Sequence, residues 1–545
     1  MREGSDTMSE ERVRSFWGWG WEDKFPDAQI RKERGAHAQM LLGFGPDRCD
    51  DPPRLRDIAL EPARVAAPDT LASFITAEHE PRVRHTYGKN YRDVVRGFRG
   101  DFSSAPDLVA MPESESDVEA VLDWASRAGV VVVPYGGGTS VVGGIEGETG
   151  EGHRGVLSLD LGRLNRVLEV ERSSMSARIQ AGVLGPSLEA QLGEQGLTLR
   201  HFPQSFEFST LGGWIATRAG GHFATVYTHI DELVQSTRMV TPRGVFESRR
   251  LPGSGAGPSP DRMVLGSEGT LGVITEAWMR VRPRPDAKAT ATAHFQDFER
   301  AVGAVRALSQ SGLFPSNCRL LDKREAALNG VTADGSHVLI VAFEAAGRSV
   351  RHAIDQAVEL VADHGGEVPR GVAVKEPRTA DPHASVGGAA TWRDAFIDAP
   401  YLLNIMASMG MVVDTFETAC TWDNFERLHA GVVREVRQTM KDVCGQGFIS
   451  CRFTHVYPDG PAPYFTFVAP GRFGHEAEQW MTIKEAASRA VIEHGGTITH
   501  HHAVGRVHRP WYEAQRPEPW GDVLRAVKGA LDPAGVMNPG VLIRA

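Results

Sequence analysis

Four valines, Val130 to Val133, run straight into PYGGGTSVVGG at residues 134–144. Three consecutive glycines after an apolar strand limit the fold tightly. They let one backbone approach another backbone, or a ligand, closer than any side chain would permit. Three kinds of phosphate loop compete for such a turn. A Walker loop requires GxxxxGK followed by Ser or Thr, and that string is absent. A Rossmann loop requires GxGxxG between strand and helix. Gly136 and Gly138 fit it, but Val141 stands at the third glycine position, and the residues that follow are too apolar and glycine-rich to start a helix. An anion nest of backbone N–H groups remains, with Thr139 and Ser140 adding hydroxyl donors. Taken alone, GGG fits a tight structural turn equally well.

From Pro106 onward the surroundings read as α/β. Ser116 and Glu119 suit a capping box, Val118, Val121, Leu122 and Ala125 follow helical spacing, and Gly129 ends that helix before the valine strand. Strands are expected at Val156–Leu161, at VLEVE and ARIQAG (167–171 and 177–182) and at Leu271–Pro283, with a short helix at PSLEAQL led by Pro186. After a Gly/Pro/Ser loop at 251–260 the rhythm changes, and strands alternate with long amphipathic helices. Phe298, Ala301, Val305 and Leu308 mark one helix, and Phe425, Leu428, Val432, Val436 and Met440 a second. Trp480, Ile483, Ala487 and Val491 mark a third, stopped at Gly495–Gly496. Between the last two, FISCRFTHVYPDGPAPYFTFV reads as a hairpin turning at PDG. The expected organisation is a segment 1–100 packing on the core, a domain over 101–285, a second over 286–500, and a tail, 501–545, returning to the first. In FWGWGWEDKF (Phe16 to Phe25) three tryptophans can anchor an otherwise irregular segment.

Composition narrows function by exclusion. With 41% hydrophobic residues, 23% charged and a net charge of -10, the chain does not read as a nucleic-acid binder. No apolar run reaches the roughly 18 residues of a membrane span; the nearest, Tyr401 to Val413, is interrupted by Asn404 and Ser408. The opening MREGSDTMSEERVRS lacks the apolar core of a secretory signal, so a cytoplasmic protein is expected. The five cysteines form no CxxC, which fits reduced thiols rather than a zinc site.

Two later strings give the loop companions: SFEFSTLGGWIATRAGG from Ser205 and GSEGTLGVITEA from Gly266. With WGWGWEDKF, PYGGGTS, VTPRG (240–244), CRLLD around Arg319, TFETACTWD (415–423) and THHHAVG (499–505), they form an ordered series over nearly the whole chain. The sequence thereby resembles the vanillyl-alcohol oxidase/p-cresol methylhydroxylase-type FAD flavoproteins. Within them it is most similar to the alkyldihydroxyacetonephosphate synthase family. The resemblance implies an α+β fold: a two-subdomain FAD-binding domain of the p-cresol methylhydroxylase type plus an α/β cap, or substrate, domain with an antiparallel sheet. It implies non-covalent FAD held at four places. The first is Pro134, Tyr135, Gly136, Gly137, Gly138, Thr139 and Ser140. The second is Gln204, Ser205, Phe206, Glu207, Phe208, Ser209 and Thr210. The third is Thr217, Arg218, Ala219 and Gly220, and the fourth Glu268, Gly269, Thr270, Leu271, Gly272, Val273 and Ile274.

The same resemblance implies an activity in ether-lipid synthesis, in which an acyl group on dihydroxyacetone phosphate is exchanged for an alkyl group through a flavin N5 adduct with no net redox change. The catalytic residues it carries over are Tyr464, His500, His501, His502, Arg319 and His201. A phenol beside a cation can serve as a general base, and a hairpin aromatic in the core fits Tyr464 equally well. On a strand, His500 and His502 share a face and His501 points away, so all three serve one site only if the strand bends. His500 and His502 could also ligate a metal, but no third ligand is evident and none is expected. Arg319 suits a bidentate phosphate or carboxylate contact, or a surface ion pair. A small-molecule or lipid-like substrate, peripheral membrane contact and a homodimer complete the implied partners.

The sequence departs from that family at Leu403, where the family's substrate arginine stands, and in a shortened insertion after Leu328. The tail DPAGVMNPG (532–540) instead looks like that of flavin-dependent D-2-hydroxy-acid dehydrogenases. Their metal motif is half present, as His455 with Asp459–Gly460, and its second histidine is missing. An FAD-dependent oxidase or dehydrogenase of a 2-hydroxy acid (glycolate or D-lactate type) or an alcohol is therefore the alternative.

Overall fold

The computed structural model describes residues 12–150, 152–223, 225, 227–377 and 400–544; most of the opening stretch weighed above as a leader, residues 1–11, lies outside them. The valine run forms strand Val130–Tyr135, which pairs in parallel with Gly155–Asp160, and Val130 to Val133 are 1% exposed or less. Valines suit a strand covered on both faces. The helix before it, Glu115–Ala128, starts two residues earlier than expected: Ser114 is the N-cap and Asp117 closes the capping box, not Ser116 and Glu119. A Ser–x–x–Asp pair satisfies the same orphan N–H groups, and the apolar stripe did not discriminate between the two registers. Gly129 ends the helix at φ 65°, as its freedom in the left-handed region allows.

These strands belong to a four-stranded sheet ordered Ile75–Thr76, Leu108–Ala110, Gly155–Asp160, Val130–Tyr135. The tail returns to it: Val132 N–H donates to the Val536 carbonyl, and Asn538 N–H donates to the Val132 carbonyl. A second, antiparallel sheet of five strands runs Val167–Glu171, Ser176–Gln180, Val273–Arg280, Val234–Thr241, Gly244–Glu247. The expected strand at Leu271–Pro283 is thus split, with Arg282–Pro283 pairing separately with Leu197–Thr198.

The third sheet has seven antiparallel strands: Val372–Lys375, Ala287–Phe295, His337–Ala345, Asn317–Leu321, Phe448–Val456, Pro461–Pro470 and Met411–Glu417. The expected hairpin is its sixth-to-fifth strand pair, turned at Tyr457–Gly460. Period-two alternation gives its last strands two chemically opposite faces. Ile449, Cys451, Phe465, Phe467 and Phe416 pack under helices Phe425–Cys444 and Glu476–Glu493. Arg452, Tyr464, Thr466 and Thr415 alternate with them and point the other way, toward the glycine loop.

The tryptophan segment joins the two halves. Trp17 packs edge-on against Phe98 and Phe25 with ring centres 5.0 and 5.1 Å apart. Trp19 N–H donates to the Asn404 side chain, whose amide donates back to the Trp19 carbonyl. Trp21 Nε1 donates to Glu207. The residue that interrupts the apolar run at Asn404 is there to hold this strap.

Candidate functional site

A cavity of about 820 Å³ lies between the glycine loop and the polar face of the seven-stranded sheet. At its closed end the loop packs hard on its neighbours: a Cβ on Gly137 would lie 1.7 Å from the Phe208 carbonyl oxygen, and one on Gly136 would lie 2.3 Å from Thr210 Oγ1. Gly138 adopts φ +66°, a left-handed step of the kind that turns successive N–H groups toward one point. The glycines at 136 and 137 are therefore required by protein packing, and it is this packing that fixes the nest.

Most of the residues expected at the cofactor line this cavity: Pro134 to Ser140, Gln204, Ser205, Ser209, Thr210, Thr217, Ala219, Gly220, Glu268, Gly269, Gly272 and Ile274. The rest turn elsewhere. Phe206 packs against Trp214, Glu207 holds Trp21, and Phe208 lies beside Trp19 and Trp21. Arg218 pairs with Asp231, Thr270 donates to the Ser267 carbonyl, and Leu271 and Val273 are core. Glu268 accepts from Val504 N–H (2.9 Å) and Gly505 N–H (2.7 Å), and burial pushes its carboxyl up to about 7. The cavity, the neutral donors along it and the left-handed loop fit a dinucleotide whose pyrophosphate rests at the nest. FAD, when bound, supplies an electron-accepting ring that side chains lack.

The opposite wall is cationic and aromatic. Arg319 is 1% exposed, and burial together with Arg452 lowers its guanidinium to about 9. Arg452 forms a buried ion pair with Glu325 and lies 3.8 Å from the centre of the Tyr464 ring. Tyr464 donates to Thr415 Oγ1 at 2.8 Å. Burial raises its phenol above the ordinary value, while Arg452 and Thr415 pull the other way. The cation expected to lower this phenol is present, yet burial outweighs it, so at neutral pH the group is a proton donor.

The histidine run is no strand. Residues 499–502 bend around Glu417, which is 1% exposed and accepts from Thr499 Oγ1 (2.6 Å) and from the N–H groups of His500, His501 (3.2 Å) and His502 (2.9 Å). Burial pushes the imidazoles of His501 and His502 down to about 4 against the pull of Glu417, so they are neutral near pH 7. Burial alone would raise the Glu417 carboxyl, yet it is held well below the usual range, with Thr499 donating to it. Since burial keeps those imidazoles uncharged, the backbone N–H groups and the Thr499 hydroxyl are what keep it ionised.

The bend sends the three rings apart. His501 and His502 face the cavity with Tyr464, while His500 turns to Tyr457 (2.7 Å) and His229 (3.1 Å). His455, His500 and His501 bring ring nitrogens within 4.8 Å of one another, so the ring that joins His500 and His455 is His501 and not the His502 expected to share a face with His500. A register shift between Phe453 and His455 lets both Thr454 and His455 reach the cavity. His201 stands behind Gly221 and Trp214, outside the lining; among the described residues neither ring nitrogen has a hydrogen-bond partner, and burial pushes it down to about 3. Leu403 lines the cavity mouth with Lys24, Arg34 and Tyr401. Sequence reasoning missed Arg452 and Glu417; both lie inside motifs singled out above, and their alternation with apolar neighbours was the available signal.

Comparison with known proteins agrees with this geometry. Residues 106–248 match the FAD binding domain family, and residues 284–542 match the C-terminal domain of FAD linked oxidases. The chain is thus an FAD-linked flavoprotein of two-domain oxidase type. An alkyldihydroxyacetonephosphate synthase of Dictyostelium discoideum is 34% identical over 506 residues, covering 91% of this chain and 82% of that protein. A solved alkyldihydroxyacetonephosphate synthase structure superposes with TM-score 0.80 at 28% identity, covering 96% of this chain and 98% of that one. The chain belongs to the alkyldihydroxyacetonephosphate synthase family. The glycolate oxidase subunit GlcD of Bacillus subtilis is more distant, at 25% identity over 81% of this chain and 89% of its own length.

Proposed function

We propose that this flavoenzyme replaces the acyloxy group of an acylated ketone phosphate with a fatty alkoxy group, the reading favoured by its likeness to proteins named alkyldihydroxyacetonephosphate synthase, and so contributes to ether-lipid synthesis. The observation that supports the reading best is the convergence of Arg319, Arg452, Tyr464, His501 and His502 on the cavity that the glycine loop enters. In this reading Arg319 and Arg452 hold the anionic end of the substrate. Neutral His501 or His502 takes a proton from the incoming alcohol, and Tyr464 returns one to the departing carboxylate. The exchange is redox-neutral: the CH2–O bond to the acyloxy group breaks as one fatty acid leaves, a CH2–O bond to the alkoxy group forms as one alcohol enters, and FAD, when bound, would supply the electron-accepting ring. A small-molecule or lipid-like substrate, peripheral membrane contact, a homodimer and a cytoplasmic place belong to the same proposal. Among the described residues no helix is long and apolar enough to cross a membrane.

Leu403 supports a second reading, oxidation of a 2-hydroxy acid or alcohol, because a leucine cannot add the further cation that the family places there. Anaerobic mixing of the yellow enzyme separates the two. Exchange of labelled fatty alcohol into an acyl-ketone phosphate, without an oxidant, supports the first. Persistent bleaching of the flavin by glycolate or D-lactate, with no exchange, replaces it with the second.

A further inference from the structure

The segment before helix Tyr91–Phe98 runs alongside the glycine loop. Lys89 N–H donates to the Ser140 carbonyl at 2.6 Å, and a Cβ on Gly88 would lie 2.3 Å from that same oxygen, so glycine at 88 is what permits the approach. This brings the Lys89 side chain into the cavity wall beside Gly136 to Ser140, where the residue is 8% exposed. Two more cations surround the loop. Arg14 Nη2 donates to the Gly137 carbonyl at 2.7 Å, and Arg84 Nη1 donates to the Arg14 carbonyl at 2.7 Å. Among the described residues the Lys89 ammonium has no hydrogen-bond or ion-pair partner. Asp93, 0% exposed, is the carboxylate that acts on it; among the described residues its oxygens accept no hydrogen bond, and its ion pair is with Arg92 at 3.7 Å.

An ammonium in the wall of a cavity loses its water when a ligand fills that cavity, which is costly unless an anion completes its surroundings. Backbone N–H groups and the hydroxyls of Thr139 and Ser140 offer a pyrophosphate only neutral donors. A dianion in a cavity of low polarity is more favourably held against a full positive charge. Burial, with Arg14 and Arg84 adding to it, pulls the Lys89 ammonium down to about 7, the direction expected of a cation awaiting its counter-ion.

We propose that Lys89 binds the pyrophosphate of FAD as its counter-charge, with Arg14 and Arg84 shaping the field around the loop. The glycine nest then fixes where the phosphates lie, and Lys89 supplies much of the free energy that distinguishes a phosphorylated flavin from a bare one.

Flavin-stripped protein tests this through the quenching of flavin fluorescence, with FAD and riboflavin as probes. Lys89→Met is expected to raise the Kd for FAD about 10- to 100-fold and to leave the Kd for riboflavin within about two-fold. Lys89→Arg is expected to retain most of the FAD affinity. Equal losses for both flavins, or no loss for either, would overturn the proposal. The melting temperature of the stripped protein guards against misfolding. It should be unchanged or higher in Lys89→Met, because an unpartnered buried cation is removed; a lower value would mark Lys89 as structural and also overturn the assignment.

Discussion

Arg452 and Tyr464 face each other across adjacent strands in direct register, and the guanidinium carbon of one stands 3.8 Å from the ring centre of the other. The cation rests on the electron-rich face of the ring. The phenol of Tyr464 is thereby fixed in orientation, directed at Thr415 along the next strand.

Tyr464→Phe removes the proton-carrying hydroxyl and little else. Turnover should fall by at least about 100-fold while the purified protein stays yellow. Loss of flavin from this variant would show that the residue serves the fold or the cofactor instead.

Arg452 also neutralises Glu325, whose side chain is 1% exposed. Arg452→Met alone should cost roughly 3–5 kcal/mol, because it strands a buried carboxylate. Adding Glu325→Gln should recover most of that stability, read by denaturant titration. Substrate KM should stay raised in the double variant; a wild-type KM would remove Arg452 from the binding of the anionic end.

Gly137→Val places side-chain atoms where the Phe208 carbonyl already lies. The loop must shift, and the protein should purify colourless. Retained yellow colour with a wild-type absorbance ratio would contradict the assignment of this loop to the cofactor.

His501 and His502 are pushed down to about 4 by burial, against a free value near 6.5. The acid limb of the kcat profile should accordingly lie nearer 4 than 6.5. Below pH 6.5 the unfolded chain takes up protons that the folded one refuses. Each group therefore withdraws up to about 1.4 kcal/mol of stability per pH unit down to its folded value. Thermal melts of His502→Gln should show a shallower loss over that window than the wild type. Matching slopes would mean that this imidazole is not held neutral.

Chelation tests the cluster of His455, His500 and His501. His455 Nε2 is already engaged by the Gly221 carbonyl, and His500 Nε2 by Tyr457. Dialysis against a chelator should leave both colour and turnover intact. Activity lost with EDTA and restored by zinc alone would convert these rings into ligands.

The elements that could be read from sequence are those whose cause is local. The valine strand, the PDG hairpin and the helix stopped at Gly129 each carry their own pattern of side chains and turn residues. The helix start slipped by two residues because Ser114 and Ser116 both offer a hydroxyl at a permissible distance from an acid. What stayed hidden joins residues far apart. Glu417 organises a run more than 80 positions downstream, and it does so through backbone N–H groups, which leave no mark on residue type. Asn404 in an apolar run looked like an interruption until Trp19, 385 positions away, gave it two hydrogen bonds. Lys89 was passed over for a related reason. Its place beside the loop depends on Gly88, which belongs to none of the motifs singled out above, and on Ser140, far along the chain.

The strap from Phe16 to Phe25 has a kinetic consequence. One end is clamped by Phe98 and Phe102, the middle by Asn404 and the far side by Glu207 and Tyr401. Enzymes whose halves swing apart admit cargo by gaping, and their speed follows the hinge. Here the stitching crosses the joint, so prising the halves apart would have to break the paired Trp19–Asn404 hydrogen bonds and the Trp21–Glu207 bond together.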